Sequence, residues 1–334
     1  MKLTIKDIAE MAGVSIATVS RVLNNSKPVS EEVRKRVEKV LEETNFRPNA
    51  WARSLIQNKT NLIGVIIPQI NTFSAKLIDG IEDIANQNGY NIILSNTRLN
   101  REQELKAIDI LIEKQVDGLI FSAVNITAEN VEKIYQSKIP AVVVGQKVSE
   151  FNLPWVDVDN YSSIIELVQY LIRCGHKKLA MIHGPLYDMS AGYTRYKAFI
   201  DEVERHQIPK EDVILVESNF SMQDGYYAME KILKNRSLPT AVICASDEIA
   251  IGAKKCLEDR GFIIPDDMSI VGFDDIDLAQ ITRPKLTTVR VDFFEMGSIA
   301  MKTLLRLLSD EKEVSLEHYV DYRLIIRDSV KMIR

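Results

Sequence analysis

Several polar and aromatic side chains directly follow short apolar runs of the sequence, where they could contact one small molecule together. They are Gln69, Asn71, Thr72, Phe73, Ser122, Gln146, Arg195, Phe220, Asp247 and Asp274. Carboxylates and a guanidinium form strong, directional hydrogen bonds with hydroxyl groups, and an aromatic ring can cover the apolar face of a pyranose. The set therefore predicts a site for a hydroxyl-rich ring. The open alternatives are helix capping for Asp247 and Asp274 and a core position for Phe73 and Phe220.

The sequence contains no arrangement that predicts catalysis. The four histidines, His176, His183, His206 and His318, are dispersed, and none has a metal-ligand spacing to a cysteine or to another histidine. There is also no glycine-rich nucleotide loop and no Gly-x-Ser-x-Gly motif. We therefore expect a protein that is not an enzyme, with no metal ion and no cofactor.

The apolar runs alternate with amphipathic helical patterns. The sequence predicts strands at 62–67, 90–95, 118–121, 140–145, 178–182, 213–216, 241–245 and 269–273. It predicts helices at 74–88, 101–115, 127–137, 160–174, 191–206, 223–235, 247–260 and 293–309. This alternation is typical of α/β folds with parallel sheets, in which ligands bind at the carboxyl ends of the strands.

The number of strand–helix units is compatible with two architectures. One is a pair of doubly wound parallel sheets, and the other is a single eight-unit barrel. A polar stretch around Pro154–Asn160 separates the apolar strands into two sets, which favours two sheets.

The first 46 residues follow a different, purely helical pattern. Thr4 and Asp7 form a variant capping box, Ser15 caps a second helix, and Ser30 caps a third. Two short helices joined through a turn at Gly13 and braced by a third predict a helix-turn-helix unit.

The second of these helices has a polar face suited to DNA. The residues expected on that face are Ser15, Ile16, Ala17, Thr18, Ser20, Arg21 and Asn24. Arg21 can donate two hydrogen bonds to guanine, and the hydroxyl groups suit phosphates. The alternative is a small helical interaction domain in which Arg21 is merely solvated.

The charge distribution supports the DNA interpretation although the whole chain of 334 residues is negative, at −5. Residues 1–60 contain eleven Lys and Arg against seven Asp and Glu, which gives this segment a charge of +4. The remainder carries −9. We therefore expect the first segment to bind a polyanion such as DNA, whereas the acidity of the rest should limit non-specific adhesion to DNA.

The cysteine content and the absence of long apolar runs predict a cytoplasmic protein that does not contact a membrane. The three cysteines, Cys174, Cys244 and Cys256, lie in apolar or helix-like contexts, which indicates reduced thiols rather than disulfides. The N-terminus does not resemble a signal peptide, and no apolar run approaches about 18 residues.

Motifs of high specificity are distributed along nearly the whole chain. They are TIKDIAEMAGVSIATVSRVLNN from Thr4, RPNAWARSL from Arg47, GPL at 184–186, ASDEIAIGA at 245–253, PDDMSIVGFDD at 265–275 and PKLTTV at 284–289. Together they resemble the lactose-repressor (LacI/GalR) family of bacterial transcription regulators. The resemblance implies a headpiece, a hinge and a two-lobed core like that of periplasmic sugar-binding proteins. It also implies a homodimer or higher oligomer that binds palindromic operator DNA.

The resemblance sets domain boundaries on this sequence. The implied units are a helix-turn-helix headpiece at 1–46, a hinge helix and linker at 47–60, and an effector-binding and dimerisation core at 61–334. Within the core, lobe one comprises about 61–160 plus 291–322, and lobe two comprises about 161–290 plus 323–334.

The resemblance also extends the set of DNA contacts into the hinge. The positions added in this way are Asn49, Ala52, Arg53 and Leu55, and the resemblance also adds Thr4 in the headpiece. Leu55 matches a leucine that opens the central base step from the minor groove, where unstacking costs a few kcal/mol and is offset by the additional contacts that bent DNA allows. Ile16 and Ala17 match positions that vary operator choice; both can contact thymine methyl groups only, so base specificity should depend on Arg21 and on DNA deformability.

For the effector site, the resemblance supports part of the set at the strand ends. Arg195 matches an effector-binding arginine in an Arg-x-x-Gly-Phe pattern in which Ala198 replaces the glycine. Asp247 and Asp274 match a pair of acids, and Phe73 and Phe220 match aromatic positions. Gly145 stands where some sugar-sensing relatives have an acid, so a neutral sugar, a sugar acid and a sugar phosphate all remain open as the effector.

The expected function is a repressor in which a sugar-type effector reorients the two lobes and thereby changes hinge folding. An alternative comes from YNIILSN at 90–96 and KQVDGLIF at 114–121, which resemble the catabolite control proteins of Gram-positive bacteria. Those regulators bind a phosphorylated carrier protein as corepressor. Lys302 stands where an arginine is expected in them, and lysine lacks the planar fork for bidentate phosphate binding. We therefore favour a local, sugar-specific repressor.

Overall fold

The structure, a computed structural model, describes residues 3–24, 27–44, 46, 59–148, 150–311 and 313–333. It divides into a first unit that ends at Thr60 and a second unit that begins at Asn61. Four of the expected DNA contacts, Asn49, Ala52, Arg53 and Leu55, lie outside the described residues.

The first unit contains the three predicted helices, which form a helix-turn-helix. They are α1 (Ile5–Ala12), α2 (Ile16–Asn24) and α3 (Glu31–Thr44). Thr4 caps α1 through a capping box, because its hydroxyl accepts the Asp7 N–H while the Asp7 carboxylate accepts the Thr4 N–H at 2.7 Å. Gly13 ends α1 with φ at 64°, a left-handed conformation that favours glycine. The helices share a small core in which Ile8, Val19 and Val37 are fully buried.

The second unit alternates strands and helices as expected. Its strands are β1 (Leu62–Ile67), β2 (Asn91–Asn96), β3 (Gly118–Phe121), β4 (Ala141–Val144), β5 (Trp155–Val158), β6 (Leu179–His183), β7 (Val213–Glu217), β8 (Ala241–Cys244), β9 (Ser269–Asp274), β10 (Thr287–Val291), β11 (Glu317–Val320) and β12 (Tyr322–Ile325). Its helices are α4 (Thr72–Gln87), α5 (Arg101–Glu113), α6 (Ala128–Ser137), α7 (Asn160–Arg173), α8 (Arg195–Arg205), α9 (Met222–Ile232), α10 (Asp247–Asp259), α11 (Asp277–Ile281) and α12 (Phe293–Leu308). A π-helical turn at Met189–Thr194 leads into α8, and a short 3-10 turn at Lys210–Asp212 precedes β7.

These strands form two open six-stranded sheets, so the single-barrel alternative is wrong. The first sheet has the order β11-β5-β4-β3-β1-β2, and all of its neighbouring strands are parallel. The second has the order β12-β10-β9-β8-β6-β7, in which only the β12–β10 pair is antiparallel. In both sheets the strand order reverses near β1 and β6, as in doubly wound folds, where ligands bind at the carboxyl edge.

The segment around Pro154–Asn160 is not the polar spacer that its composition suggests. It contains β5, in which Trp155, Val156 and Val158 are buried together with Asp157. Asp157 is buried in this strand, where hydrogen bonds from the Val158 N–H and the Ser190 hydroxyl satisfy its carboxylate. The strands β10, β11 and β12 were likewise absent from the predicted set.

The chain crosses between the two sheets three times. It leaves the first sheet after β5, returns after β10 and crosses again between β11 and β12. Consequently α7 contacts α8 and β12 of the second lobe, whereas α12 contacts α4 and the strands of the first. Each lobe is thus built from separate stretches of sequence.

Two glycines allow α4 and α12 to pack very closely. A Cβ atom added at Gly80 would lie 2.0 Å from the carbonyl oxygen of Phe294, and one at Gly297 would lie 2.1 Å from that of Leu77. This packing brings the N-terminal ends of the two helices together at the carboxyl edge of the first sheet.

None of the helices within the described ranges is long and apolar enough to cross a membrane.

Candidate functional site

A cavity of about 460 Å³ lies between the two lobes at the carboxyl ends of their strands. This volume falls within the range of about 300–1,000 Å³ that is typical of small-molecule sites. Eight of the ten side chains selected from the sequence line the cavity: Gln69, Asn71, Thr72, Phe73, Ser122, Arg195, Phe220 and Asp274. The rule that ligand-binding residues follow parallel strands therefore places these residues around one space.

Aromatic rings from both lobes form part of the cavity wall. In the first lobe Phe73 packs edge-to-face on Phe293, with ring centroids 4.7 Å apart. In the second lobe Phe220 lies against Gly184, where an added Cβ would stand 2.2 Å from the ring. Only glycine therefore leaves room for Phe220 at this place, and the rings provide apolar faces on both sides of the cavity.

Arg195 is buried at the base of the second lobe, and its guanidinium is held from several directions. Its Nε donates to Oδ1 of Asn160 at 2.8 Å, and its Nη1 donates to the carbonyl oxygen of Ala245 at 2.5 Å. The guanidinium carbon lies 3.5 Å from the ring centroid of Phe273. Burial lowers the pKa of Arg195, and the charge of Asp274 is the largest effect that opposes this shift.

Asp157 connects the first crossing segment to the π-helical turn. Ser190 donates its hydroxyl to Oδ2 of Asp157 at 2.8 Å, and the Val158 N–H donates to Oδ1 at 2.8 Å. The amide of Asn160 donates to the Ser190 hydroxyl oxygen at 2.8 Å. Burial raises the pKa of Asp157 to about 6 in spite of these hydrogen bonds. The network thus fixes Asn160, which in turn orients Arg195.

Asp188 caps the π-helical turn and faces the same cavity. Its carboxylate accepts the N–H groups of Ser190 at 3.1 Å and Ala191 at 2.9 Å. Burial raises the pKa of Asp188, and backbone hydrogen bonds and the charge of Arg195 oppose this shift.

Asp274 ends β9 with φ at 112°, a backbone conformation that residues other than glycine rarely adopt. Its Oδ1 lies 3.9 Å from Nη1 of Arg195, which is an ion pair but not a hydrogen bond. Burial raises the pKa of Asp274 to about 7; the charge of Arg195 opposes this shift, and that of Glu248 adds to it.

Gln146 and Asp247 do not line the cavity, contrary to the expectation from the sequence. Gln146 is buried, and its Oε1 accepts the Ile126 N–H at 2.9 Å, which holds a loop of the first lobe. Asp247 is fully buried; it accepts hydrogen bonds from the Thr288 hydroxyl at 2.6 Å and from the Ile276 N–H at 2.9 Å. Both residues follow strands, but their side chains turn into the protein.

The capping alternatives for the two acids are also wrong. The N-cap of α10 is Ser246, whose hydroxyl accepts the Ile249 N–H, and Asp247 is the first residue of the helix. Asp274 is the last residue of its strand.

Several residues that line the cavity were not selected from the sequence. They are chiefly Asp157, Asn160, Tyr187, Asp188, Ser190, Asn219, Asp224 and Glu248. Asn160 comes two residues after β5, so the same rule would have found it if β5 had been predicted, whereas Asp157 lies within that strand.

In the headpiece, α2 presents the expected surface. Ser15, Ile16, Ala17 and Arg21 are exposed. Thr18 and Ser20 are partly exposed, and the Ser15 hydroxyl accepts the Thr18 N–H at 3.2 Å. Thr4 is exposed at the start of α1, with its side chain in the capping box. Asn24 is the last residue of α2, and its side chain lies outside the described residues.

A helix-turn-helix unit joined to a two-lobed core with a cavity between its lobes defines a ligand-responsive type of DNA-binding regulator. The sequence profile of "Bacterial regulatory proteins, lacI family" matches residues 4–49, and that of "Periplasmic binding protein-like domain" matches residues 168–330. The chain belongs to the LacI family and is a DNA-binding transcriptional regulator.

Individual relatives agree with this assignment over almost the full length. Catabolite control protein A of Priestia megaterium is 38% identical over 328 residues, which cover 97% of this chain and 99% of that protein. A crystal structure of the lac repressor dimer bound to operator and the anti-inducer ONPF has a TM-score of 0.90 at 26% identity and covers 99% of this chain and 100% of that one. A LacI family regulator from Enterococcus faecium with bound ribose has a TM-score of 0.73 at 30% identity, covering 82% of this chain and 100% of that one.

The raised pKa of Asp274 predicts that the stability of the variant Asp274→Asn relative to wild type increases as the pH rises. Folding favours the protonated carboxyl, so its stabilising contribution is complete below the ordinary pKa of 3.8 and is lost as the pH rises through about 7. The free energy of unfolding of Asp274→Asn relative to wild type should therefore increase by about 2–3 kcal/mol between pH 5 and pH 8.

Chemical denaturation of both proteins across this pH range measures the difference. Glu82→Gln, which replaces an exposed carboxylate on α4, serves as the control and should show no such trend. A difference for Asp274→Asn that stays constant with pH would contradict the prediction.

Proposed function

We propose that the protein is a repressor that binds a palindromic operator as a homodimer and responds to a small, hydroxyl-rich effector in the interlobe cavity. The observation that carries the proposal is the position of Arg195, which lines the cavity and hydrogen-bonds Asn160 at the first crossing between the lobes. The operator-bound lac repressor dimer and the ribose-bound relative support operator and sugar as the two ligands.

Operator recognition is assigned to the exposed face of α2 and to the hinge. Arg21 is the group on this face that can pair with guanine through two hydrogen bonds, while Ile16 and Ala17 contribute contacts with thymine methyl groups. Leu55 is assigned the minor-groove wedge from the sequence resemblance. In this arrangement the major-groove contacts select the half-site, and the wedge makes affinity depend on the central base step.

Two substitutions test this assignment. Arg21→Ala should weaken binding to the operator by about 5- to 150-fold because it removes a bidentate base contact, and Leu55→Ala should weaken it by a similar factor. Fluorescence anisotropy with a palindrome selected from a random library, at one fixed salt concentration, measures both effects.

Lys39→Ala provides the matched control, since it removes one exposed positive charge from α3 and should change the affinity by less than about threefold. Wild-type affinity in both Arg21→Ala and Leu55→Ala would contradict the proposed operator interface.

The effector is proposed to act by selecting one orientation of the lobes. Contacts already join the lobes, since Lys76 lies 3.1 Å from Asp277 and, in the cavity wall, the Thr72 hydroxyl lies 3.5 Å from Oε1 of Glu248. A ligand held by Gln69, Asn71, Phe73 and Ser122 on one side and by Arg195, Phe220 and Asp274 on the other would stabilise this orientation. Coupling of about 1–3 kcal/mol to DNA binding is typical of such linkage. We further propose that the ligand is released unchanged, without catalysis.

A thermal-shift screen with sugars, sugar acids and sugar phosphates tests the effector site. At least one compound should raise the melting temperature of the wild-type chain, because binding to the folded state alone stabilises it. The same compound should give no shift with Arg195→Ala, in which the cavity loses its guanidinium.

Arg205→Ala is the control, since it removes an exposed arginine from the same helix α8 and should respond as the wild type does. An unchanged response of Arg195→Ala would mean that the effector binds elsewhere.

The second candidate function is corepression by a phosphorylated carrier protein. The 38% identity with a catabolite control protein A favours it. Against it stands Lys302, which is exposed on α12 and offers a phosphate a point charge rather than a bidentate fork.

Surface plasmon resonance with the phosphorylated carrier protein distinguishes the two candidates. The local-repressor proposal predicts no binding at micromolar concentration. Binding that depends on the phosphate and strengthens in Lys302→Arg would instead support corepression and overturn the local-repressor proposal.

A further inference from the structure

The interlobe cavity has a strong excess of acidic side chains. Of the described residues that line it, five are acidic and a single one, Arg195, is basic. The acidic residues are Asp157, Asp188, Asp224, Glu248 and Asp274. A site for a sugar phosphate or a sugar acid should show the opposite balance, because a buried anion needs cations and N–H donors around it.

Arg195 does not offset this excess for an anionic ligand. Two of its donor groups are already used by Asn160 and the carbonyl oxygen of Ala245. Its charge also balances the buried carboxyls of Asp274, Asp188 and Asp157, each of which acts on its pKa. A second anion would compete with these carboxyls for the same guanidinium.

Asp274 and Glu248 are the two acids that are least compensated by protein groups. Within the described part of the chain, the one cationic group within 4 Å of Asp274 is Arg195, at 3.9 Å and thus beyond hydrogen-bond distance. Glu248 accepts a long hydrogen bond of 3.5 Å from the Thr72 hydroxyl. Both acids line the same cavity, and the charge of Glu248 raises the pKa of Asp274. A cation between them would relieve this repulsion.

The apolar part of the cavity wall also suits a cationic ligand that contains a sugar ring. Phe73, Phe293 and Phe220 line the cavity from both lobes. Aromatic faces attract cations, by about 0.5–2 kcal/mol, and they also pack on the C–H face of a sugar ring. Carboxylates and aromatic rings also bind neutral sugars, and what favours a cationic ligand here is the excess of five acidic side chains over a single basic one in the lining.

We propose that the effector is a hydroxyl-rich ring that carries a protonated amine, an amino sugar, with its ammonium group bound between Asp274 and Glu248. This inference rests on the proposed role of the cavity as the effector site. In this arrangement the ammonium donates to both carboxylates, Arg195 and the amides bind ring hydroxyls, and the phenylalanines contact the ring. Glu248 lies beside Thr72 of the first lobe, so the ammonium also strengthens the contact between the lobes.

Isothermal titration calorimetry of the full chain at pH 7 tests the proposal with matched probes. The probes are D-glucosamine, D-galactosamine and D-mannosamine, each with its neutral parent sugar, its N-acetyl derivative and the 6-phosphate of the parent. At least one amine should bind about tenfold or more tightly than its parent, as expected for hydrogen bonds to charged groups. Acetylation, which removes the positive charge, should abolish this gain, and the 6-phosphates should bind most weakly.

Substitution of one carboxylate should reduce the preference for the amine. In Glu248→Gln, the ratio of affinities for the amine and its parent should fall to about threefold or less. Glu204→Gln, an exposed position on α8, should keep the wild-type ratio. Because the comparison of amine, parent and N-acetyl sugar uses the wild-type chain, the test does not depend on the folding of any variant.

The outcomes separate this inference from the effector proposal on which it rests. If a neutral sugar or a sugar phosphate binds as tightly as the matched amine, the amino-sugar inference is overturned while a sugar effector stands. If none of the probes binds to the wild-type chain, the amino-sugar inference is overturned, and the thermal-shift screen with Arg195→Ala decides the effector proposal separately.

Discussion

The arrangement of the core depends on one buried positive charge. Because the Arg195 guanidinium is almost wholly buried, the protein must supply both hydrogen-bond acceptors and negative charge around it. The acceptors come from Asn160 on the first crossing and from the end of β8 at Ala245. The negative charge comes from strand ends of both sheets. The groups that surround this one side chain thus come from segments that are far apart in the sequence, and they meet where the two lobes join.

The carboxyls that balance this charge are themselves held by further groups. Asp275, next to Asp274, is buried and paired with Arg290 at 2.7 Å and with Arg327 at 2.6 Å. The ion pairs of Asp275 and the hydrogen bond between the Ile276 N–H and Asp247 hold this loop in place. Asp274 can therefore keep its strained backbone conformation. The ion pairs in this loop position the backbone more than they stabilise the fold, because the free-energy cost of removing two ions from water offsets much of their attraction.

Much of the cavity could be predicted from short apolar runs and from the rule that ligands bind at the carboxyl ends of parallel strands. The residues that were missed or misplaced have physical explanations. Asp274 ends β9, whose five preceding residues are all buried, and Ser122 directly follows β3, whose four residues are all buried, so the apolar runs of the sequence indicate both positions. Asp157 was missed because the sequence of a four-residue strand with an acid near its centre resembles that of a loop. The hydrogen bonds that satisfy this acid become known only from the structure. Gln146 and Asp247 were misplaced because spacing along the chain fixes where a residue stands and leaves open which way its side chain turns. Helix capping, by contrast, is local, and Thr4 with Asp7 behaves as the sequence indicates.

The three crossings have a consequence for synthesis of the chain on the ribosome. The first sheet is completed by β11 and the second by β12, two strands separated by the single residue Asp321. Neither lobe can therefore reach its final form until nearly the whole polypeptide has emerged, whereas the three helices of the headpiece have been made within the first 44 residues. A nonsense mutation between α3 and β11 would thus leave a complete headpiece attached to an unfinished core. Such fragments would expose apolar strand edges, and proteases that recognise unfolded chains would be expected to remove them.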